Sequence, residues 1–161
     1  MWSALLGAAV FVVWVAPDWL APGYRHSIVF ENPLMGTARS SLSGAARQDT
    51  ITLGLRAFRA VVMVPIAEEL FWRGWLMRWL VRPDFTRVNL GTYSPLAFTL
   101  TALLFASEHG PYWDVGLITG IAFNAWMIRQ KKLGDLFVAH AVANACLSAY
   151  AISCEKWEYW L

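Results

Sequence analysis

Three polar groupings interrupt otherwise apolar sequence: Glu68-Glu69 with Arg73, His109 four residues after Phe105, and His140 with Asn144. An ionisable side chain in hydrocarbon costs at least about 2–3 kcal/mol unless it is partnered, so such groups rarely occur there without a role. Here two carboxylates, two imidazoles, a guanidinium and a carboxamide lie on three separate apolar segments. Together they can bind water, move a proton and stabilise an oxyanion. These are the parts of a hydrolytic site, and their setting places that site within a membrane.

The spacing divides the roles. Glu69 and Arg73 are four residues apart with the acid first, the favourable order for a helical ion pair. In a low-dielectric site such a pair neutralises itself, which gives both residues a supporting role. Glu68 points about 100° away from Glu69 around a helix and is free to face a pocket as a general base. His140 and Asn144 share a helix face and can both donate towards a developing oxyanion. His109 ends an apolar run beside Gly110, with room to share a water with Glu68. Glu108 is expected to be solvated or structural, and His26 falls in a loop without a role. Any one grouping could simply be a helix–helix hydrogen bond. Three groupings with complementary chemistry favour a site.

The elements that must position these residues read as membrane helices. Of 161 residues, 58% are hydrophobic and 15% charged, against about 25% charged in soluble domains. Mean hydropathy is +0.45. Several of the ten tryptophans flank apolar runs, as in interfacial aromatic belts. The net charge of +2 and the lack of a basic stripe exclude a nucleic-acid partner. Cys146 and Cys154 are too few for a disulfide framework and have no zinc-finger spacing, so they are packing residues or free thiols.

Residues 2–20 form a first apolar run, broken by Pro17, that lacks the basic start of a cleaved signal peptide. Residues 22–50, rich in Gly, Ser, Asn and Pro, form an extramembrane loop with room for a short surface helix. Residues 51–81 would span about 45 Å as one helix, longer than the roughly 30 Å hydrocarbon core. Pro65 is expected to kink it, and Arg56, Arg59, Arg78 and Arg82 can snorkel to the two interfaces. Further helices run from Pro95 to about Glu108, from Trp113 to about Ile128, and from Leu136 to about Ser153. The expected fold class is all-α, a polytopic transmembrane helix bundle of about five or six spans. Residues 1–50 form an N-terminal helix and loop, and residues 51–161 the functional core.

Counted inward at about 1.5 Å per residue, Glu68 lies about 15 Å from Arg78, His140 and Asn144 about 9 and 15 Å from Gly134, and His109 about 20 Å from Pro95. These overlapping depths allow three packed helices to bring the groups to one pocket. The basic loops at 82–94 and 129–135 fall on one side, which the positive-inside rule makes cytoplasmic, although Arg25, Arg39 and Arg47 oppose it from the loop at 22–50.

Glu68-Glu69-Leu70-Phe71-Trp72-Arg73, Phe105-Ala106-Ser107-Glu108-His109 and His140-Ala141-Val142-Ala143-Asn144 follow, in order, the patterns EExxxR, FxxxH and HxxxN. In this the chain resembles the CPBP intramembrane proteases, the type II CAAX prenyl endopeptidases and their bacterial relatives, over about residues 55–150. The resemblance implies a glutamate protease that needs neither metal nor cofactor. Glu68 and His109 would activate water, His140 and Asn144 would stabilise the oxyanion, Glu69–Arg73 would hold the helix, and Phe105 would support the site. It further implies a membrane-embedded or lipidated protein substrate, a lipid-bilayer environment and a place in a bacterial inner (plasma) membrane; the oligomeric state is left open.

Family members commonly have more spans, so the chain is expected to be a minimal member or a fragment. Two other readings stand beside this one. A zinc hydrolase could use His109, His140 and a Glu as ligands, although no HExxH is present. A non-catalytic binding or immunity protein could keep the pocket to hold a peptide or lipid.

Overall fold

The computed structural model describes residues 1–160. Five helices carry the fold among them: α1 (Trp2–Leu20), α2 (Thr50–Trp79), α3 (Pro95–Ser107), α4 (Trp113–Gln130) and α5 (Leu133–Ser153). Each start and stop has a local cause. Asp49 caps α2, its carboxylate accepting from the Thr52 amide at 2.9 Å. Ser94 caps α3 and is followed by Pro95, whose missing N–H costs nothing at a first helical position. Lys131, at φ 57°, ends α4 in the left-handed conformation.

Helices α1, α2 and α5 are each long and apolar enough to cross a membrane, and α3 is a shorter apolar helix. Large apolar side chains such as Val12, Leu55, Phe58, Leu103 and Val138 face outward, while Glu69, Arg73, Thr101, Asn124 and His140 are buried. Apolar groups outside and polar groups within suit a protein whose solvent is lipid. The described residues form an all-helical fold, and the chain is an integral membrane protein.

Small residues set the packing. Helix α1 packs chiefly on α5, α3 on α4, and the middle of α2 on α5. A Cβ on Gly7 would lie 2.2 Å from the Ala139 carbonyl oxygen, and one on Gly120 would lie 3.2 Å from Ala102 backbone atoms. Backbones this close are typical of membrane helices, which gain from van der Waals contact rather than from hydrophobic exclusion. Val10, Phe123, Met127, Leu136, Ala139 and Ala143 form the main apolar cluster where α1, α4 and α5 meet.

Two expectations need correction, and one gains detail. Pro17 does not break the first helix, which runs unbroken to Leu20. The ring sits within the last turn, where only one intrahelical bond is lost, and Asp18 just beyond it is tied to Arg25. The loop between α1 and α2 contains no helix. It is built of turns, with Asn32 accepting from the amides of Leu34 and Met35 and closing a bridge to Gly36. Pro65 acts by changing helix type: α2 widens to π-helix at Arg59–Met63 just before it, and again at Leu70–Leu76.

The loop is anchored by Arg25, only 3% exposed, which pairs with Asp18 at 3.0 Å and Asp114 at 2.7 Å and stacks over Tyr112. Burial alone would lower its pKa; the two carboxylates outweigh that and raise it. The contact fixes the loop across the end of the bundle where α1 stops and α4 starts. The loops after α2 and α4 meet at the other end, where Gly91 packs on Met127 and Lys131.

Gly7→Ala should therefore force α1 away from α5. Thermal unfolding in detergent should show a loss of about 1–3 kcal/mol, whereas Gly54→Ala, on an open surface of α2, should be neutral or stabilising.

Candidate active site

Glu69 and Arg73, both fully buried, lie at the centre of the bundle. Arg73 Nη1 donates to both Glu69 oxygens at 3.0 and 3.1 Å. The Arg73 Nε donates to Asn124 Oδ1 at 2.9 Å, and Nη2 to the Gly120 carbonyl at 3.3 Å. Asn124 in turn donates to the Phe98 carbonyl at 2.9 Å. The guanidinium lies over the rings of Phe105, at 4.7 Å, and Phe123, at 5.5 Å. On its other side Glu69 meets His140 Nδ1 at 2.9 Å. Groups from α2, α3, α4 and α5 thus enclose one ion pair.

Above this layer is a cavity of about 280 Å³ lined by Glu68, Phe105, His109, His140 and Asn144. Glu68 turns away from Glu69, as their adjacent positions require, and its Oε2 is buried with no hydrogen-bond partner among the described residues. A carboxylate in that state is an acceptor awaiting a donor, such as a water or a substrate amide.

The two imidazoles are oriented from behind. His109 Nδ1 lies 2.6 Å from the Phe105 carbonyl, which can only accept, so Nδ1 carries the proton and Nε2 keeps its lone pair. The ring is packed between Trp14 and Phe105. Gly116 leaves room for it, since a Cβ there would lie 3.2 Å from three His109 atoms. His140 Nδ1 donates to Glu69, leaving Nε2 as its second functional atom.

Asn144 is held differently. Its Nδ2 donates to the Ala60 carbonyl at 2.8 Å. Ala60 lies in the first π-turn, where the Val64 amide reaches back five residues to Arg59. In that register the partner of the Ala60 carbonyl would be Pro65, which has no N–H. The Asn144 carboxamide supplies the missing donor, and its second N–H remains for the cavity.

All seven residues singled out in the sequence are thus accounted for. Glu68, Phe105, His109, His140 and Asn144 line the cavity, while Glu69 and Arg73 lie behind it. Asn124 went unnoticed, although a carboxamide in the middle of an apolar helix was a usable signal. The roles of Gly116 and Trp14 had none. A zinc site would need His109, His140 and a Glu to converge, and no group of three or more His, Cys, Asp or Glu does so among the described residues.

An apolar helical bundle is closed here around a cavity lined by a carboxylate, two imidazoles and a carboxamide. The model of the family described as type II CAAX prenyl endopeptidase Rce1-like matches residues 50–146, more than half of the chain, and the chain belongs to that family. No curated protein and no solved structure matches it.

Removing the Asn124 carboxamide strands Arg73 Nε and takes away a second donor to the Phe98 carbonyl of α3. Asn124→Ala should cost about 1–3 kcal/mol in detergent unfolding, more than the isolated cavity-side change Ser148→Ala.

Proposed function

We propose that the protein is an intramembrane endopeptidase that cleaves peptide bonds of membrane-associated or lipidated proteins with water activated by Glu68 and His109. The observation that carries this reading is the unpartnered buried oxygen of Glu68 in a cavity shared with His109, His140 and Asn144. A purely structural carboxylate at that depth would be paired, as Glu69 is.

In this mechanism a water lies between Glu68 and His109 Nε2. Glu68 takes its proton as the oxygen attacks the scissile carbonyl carbon, and the carbonyl π electrons move onto oxygen. The oxyanion is met by the free N–H of Asn144 and by His140 Nε2, which donates when His140 carries a proton on both nitrogens. Glu69 is the counter-charge that supports this imidazolium. Collapse of the intermediate breaks the C–N bond, and Glu68 returns its proton to the leaving amine.

The same reading gives a membrane domain of five embedded helices, with α3 shorter than a full span and α4 less apolar than the three spanning helices, in which α1 and its loop over residues 1–50 form the N-terminal part ahead of the core at 51–161. A bacterial inner membrane is its proposed location. The cavity lies between α1 and α2, which both pack on α5, so a peptide in the bilayer can approach it from the side.

Purified protein and its Glu68→Gln variant should be compared against a library of membrane peptides. The substitution should lower cleavage by at least about 100-fold with the thermal midpoint retained, and a chelator should leave wild-type cleavage intact. Cleavage that persists in Glu68→Gln, or that a chelator abolishes and zinc restores, would remove this mechanism.

A further inference from the structure

Beyond α5 the chain turns back over the bundle and lays residues 157–160 against the mouth of the catalytic cavity. Tyr159 and Trp160, 9% and 6% exposed, both line that cavity. The segment is held through its backbone as well as its side chains. The Trp160 carbonyl accepts from Ser40 Oγ at 3.0 Å and from Arg56 Nη2 at 3.1 Å. The Glu158 carbonyl accepts from the Tyr112 hydroxyl at 3.2 Å. The Arg56 guanidinium also lies 5.6 Å from the Trp160 ring, and the Tyr159 hydroxyl donates to Asp18 at 2.9 Å.

Side-chain donors that grip main-chain carbonyls do not read the sequence of what they hold. Residues 157–159 form a single 3-10 turn, and any peptide able to adopt that turn can offer the same acceptors, its side chains then selecting among peptides. The donors come from three places in the chain: the loop at Ser40, the first turns of α2 at Arg56, and Tyr112 before α4. They converge on one strip that leads into the cavity containing Glu68 and His109.

We propose that Ser40, Arg56 and Tyr112 form a peptide-binding subsite of the active site, occupied in this structure by the protein's own segment 157–160. The subsite takes a peptide that can form a tight turn, as Trp157–Tyr159 does, and that bears a large aromatic side chain stacked on Arg56 as Trp160 is. The assignment of substrate rests on the protease reading; the binding itself does not. A peptide that enters along this strip must displace the segment, so the segment restrains that end of the site until such a peptide arrives.

The test uses a fluorescently labelled peptide of sequence Lys-Trp-Glu-Tyr-Trp, copied from residues 156–160, with a scrambled peptide as control. Binding is followed by anisotropy to the full chain carrying Glu68→Gln, which keeps the readout independent of cleavage. Vacating the subsite with Tyr159→Ala/Trp160→Ala should tighten binding by about tenfold, and adding Ser40→Ala should reverse part of that gain, as loss of a hydrogen bond to a peptide carbonyl requires. Trp160→Ala alone, a milder change, should move binding in the same direction if the double variant unfolds. In the active protein, Trp160→Ala should lower KM for peptide cleavage and leave kcat unchanged. Equal binding by intact and vacated proteins, or no preference over the scrambled peptide, would overturn the subsite. Saturable binding without any cleavage would retain it and count against the protease reading alone.

Discussion

A buried ion pair in a membrane protein is a demand on everything around it. Transferring Glu69 and Arg73 from water costs several kcal/mol per ion even after relaxation, and their attraction offsets this only if the remaining donors and acceptors are satisfied. Glu69 uses both oxygens on Arg73 and one also on His140. Arg73 recruits Asn124, the Gly120 carbonyl and two aromatic faces. Meeting that demand fixes the rotation of four helices about their axes. Only with α4 close enough for Gly120 to accept, and α5 turned so that His140 reaches Glu69, is the pair complete. The cavity that Glu68 and His109 line is what those rotations leave on the adjacent face.

The second constraint is in the backbone of α2. A regular 30-residue helix would carry Ala60 and Asn144 past each other with no vacancy to link them. Proline at position 65 and the π-turn before it create a carbonyl without an intrahelical donor, and Asn144 fills it. π-turns are uncommon and concentrate at functional sites because they re-aim the residues that follow. Here two of them flank Glu68-Glu69. The same amide that completes the helix also lines the cavity, so helix repair and the proposed oxyanion donation fall to one side chain.

Much of this was legible in the residues. Runs of apolar sequence separated by Pro, Gly and charged clusters marked the helices to within a few positions, and the four-residue spacing of Glu69 and Arg73 anticipated their pairing. Adjacency of Glu68 to Glu69 was enough to infer that the two carboxylates face apart. Other features had no local signal. Asp18, next to Pro17, is held by Arg25 from the following loop, and the Ala60 carbonyl left by Pro65 is met by Asn144, more than 80 residues away. Asn124 was visible as a carboxamide in apolar surroundings, but its partner could be named only once α4 was placed beside α2. The docking of residues 157–160 on the cavity depends on Ser40 and Arg56, which in sequence look like a loop serine and a snorkelling arginine.

The division of labour between the two adjacent carboxylates is the central claim, and stability separates them most directly. Unfolding free energies of Glu68→Gln and Glu69→Gln should be measured side by side in the same detergent. If Glu69 is the scaffold, its substitution leaves Arg73 as an uncompensated buried charge and should cost about 3–5 kcal/mol, while Glu68→Gln, which breaks no hydrogen bond among the described residues, should change stability by less than about 1 kcal/mol. A large loss in Glu68→Gln together with a neutral Glu69→Gln would contradict it and exchange the roles of the two residues.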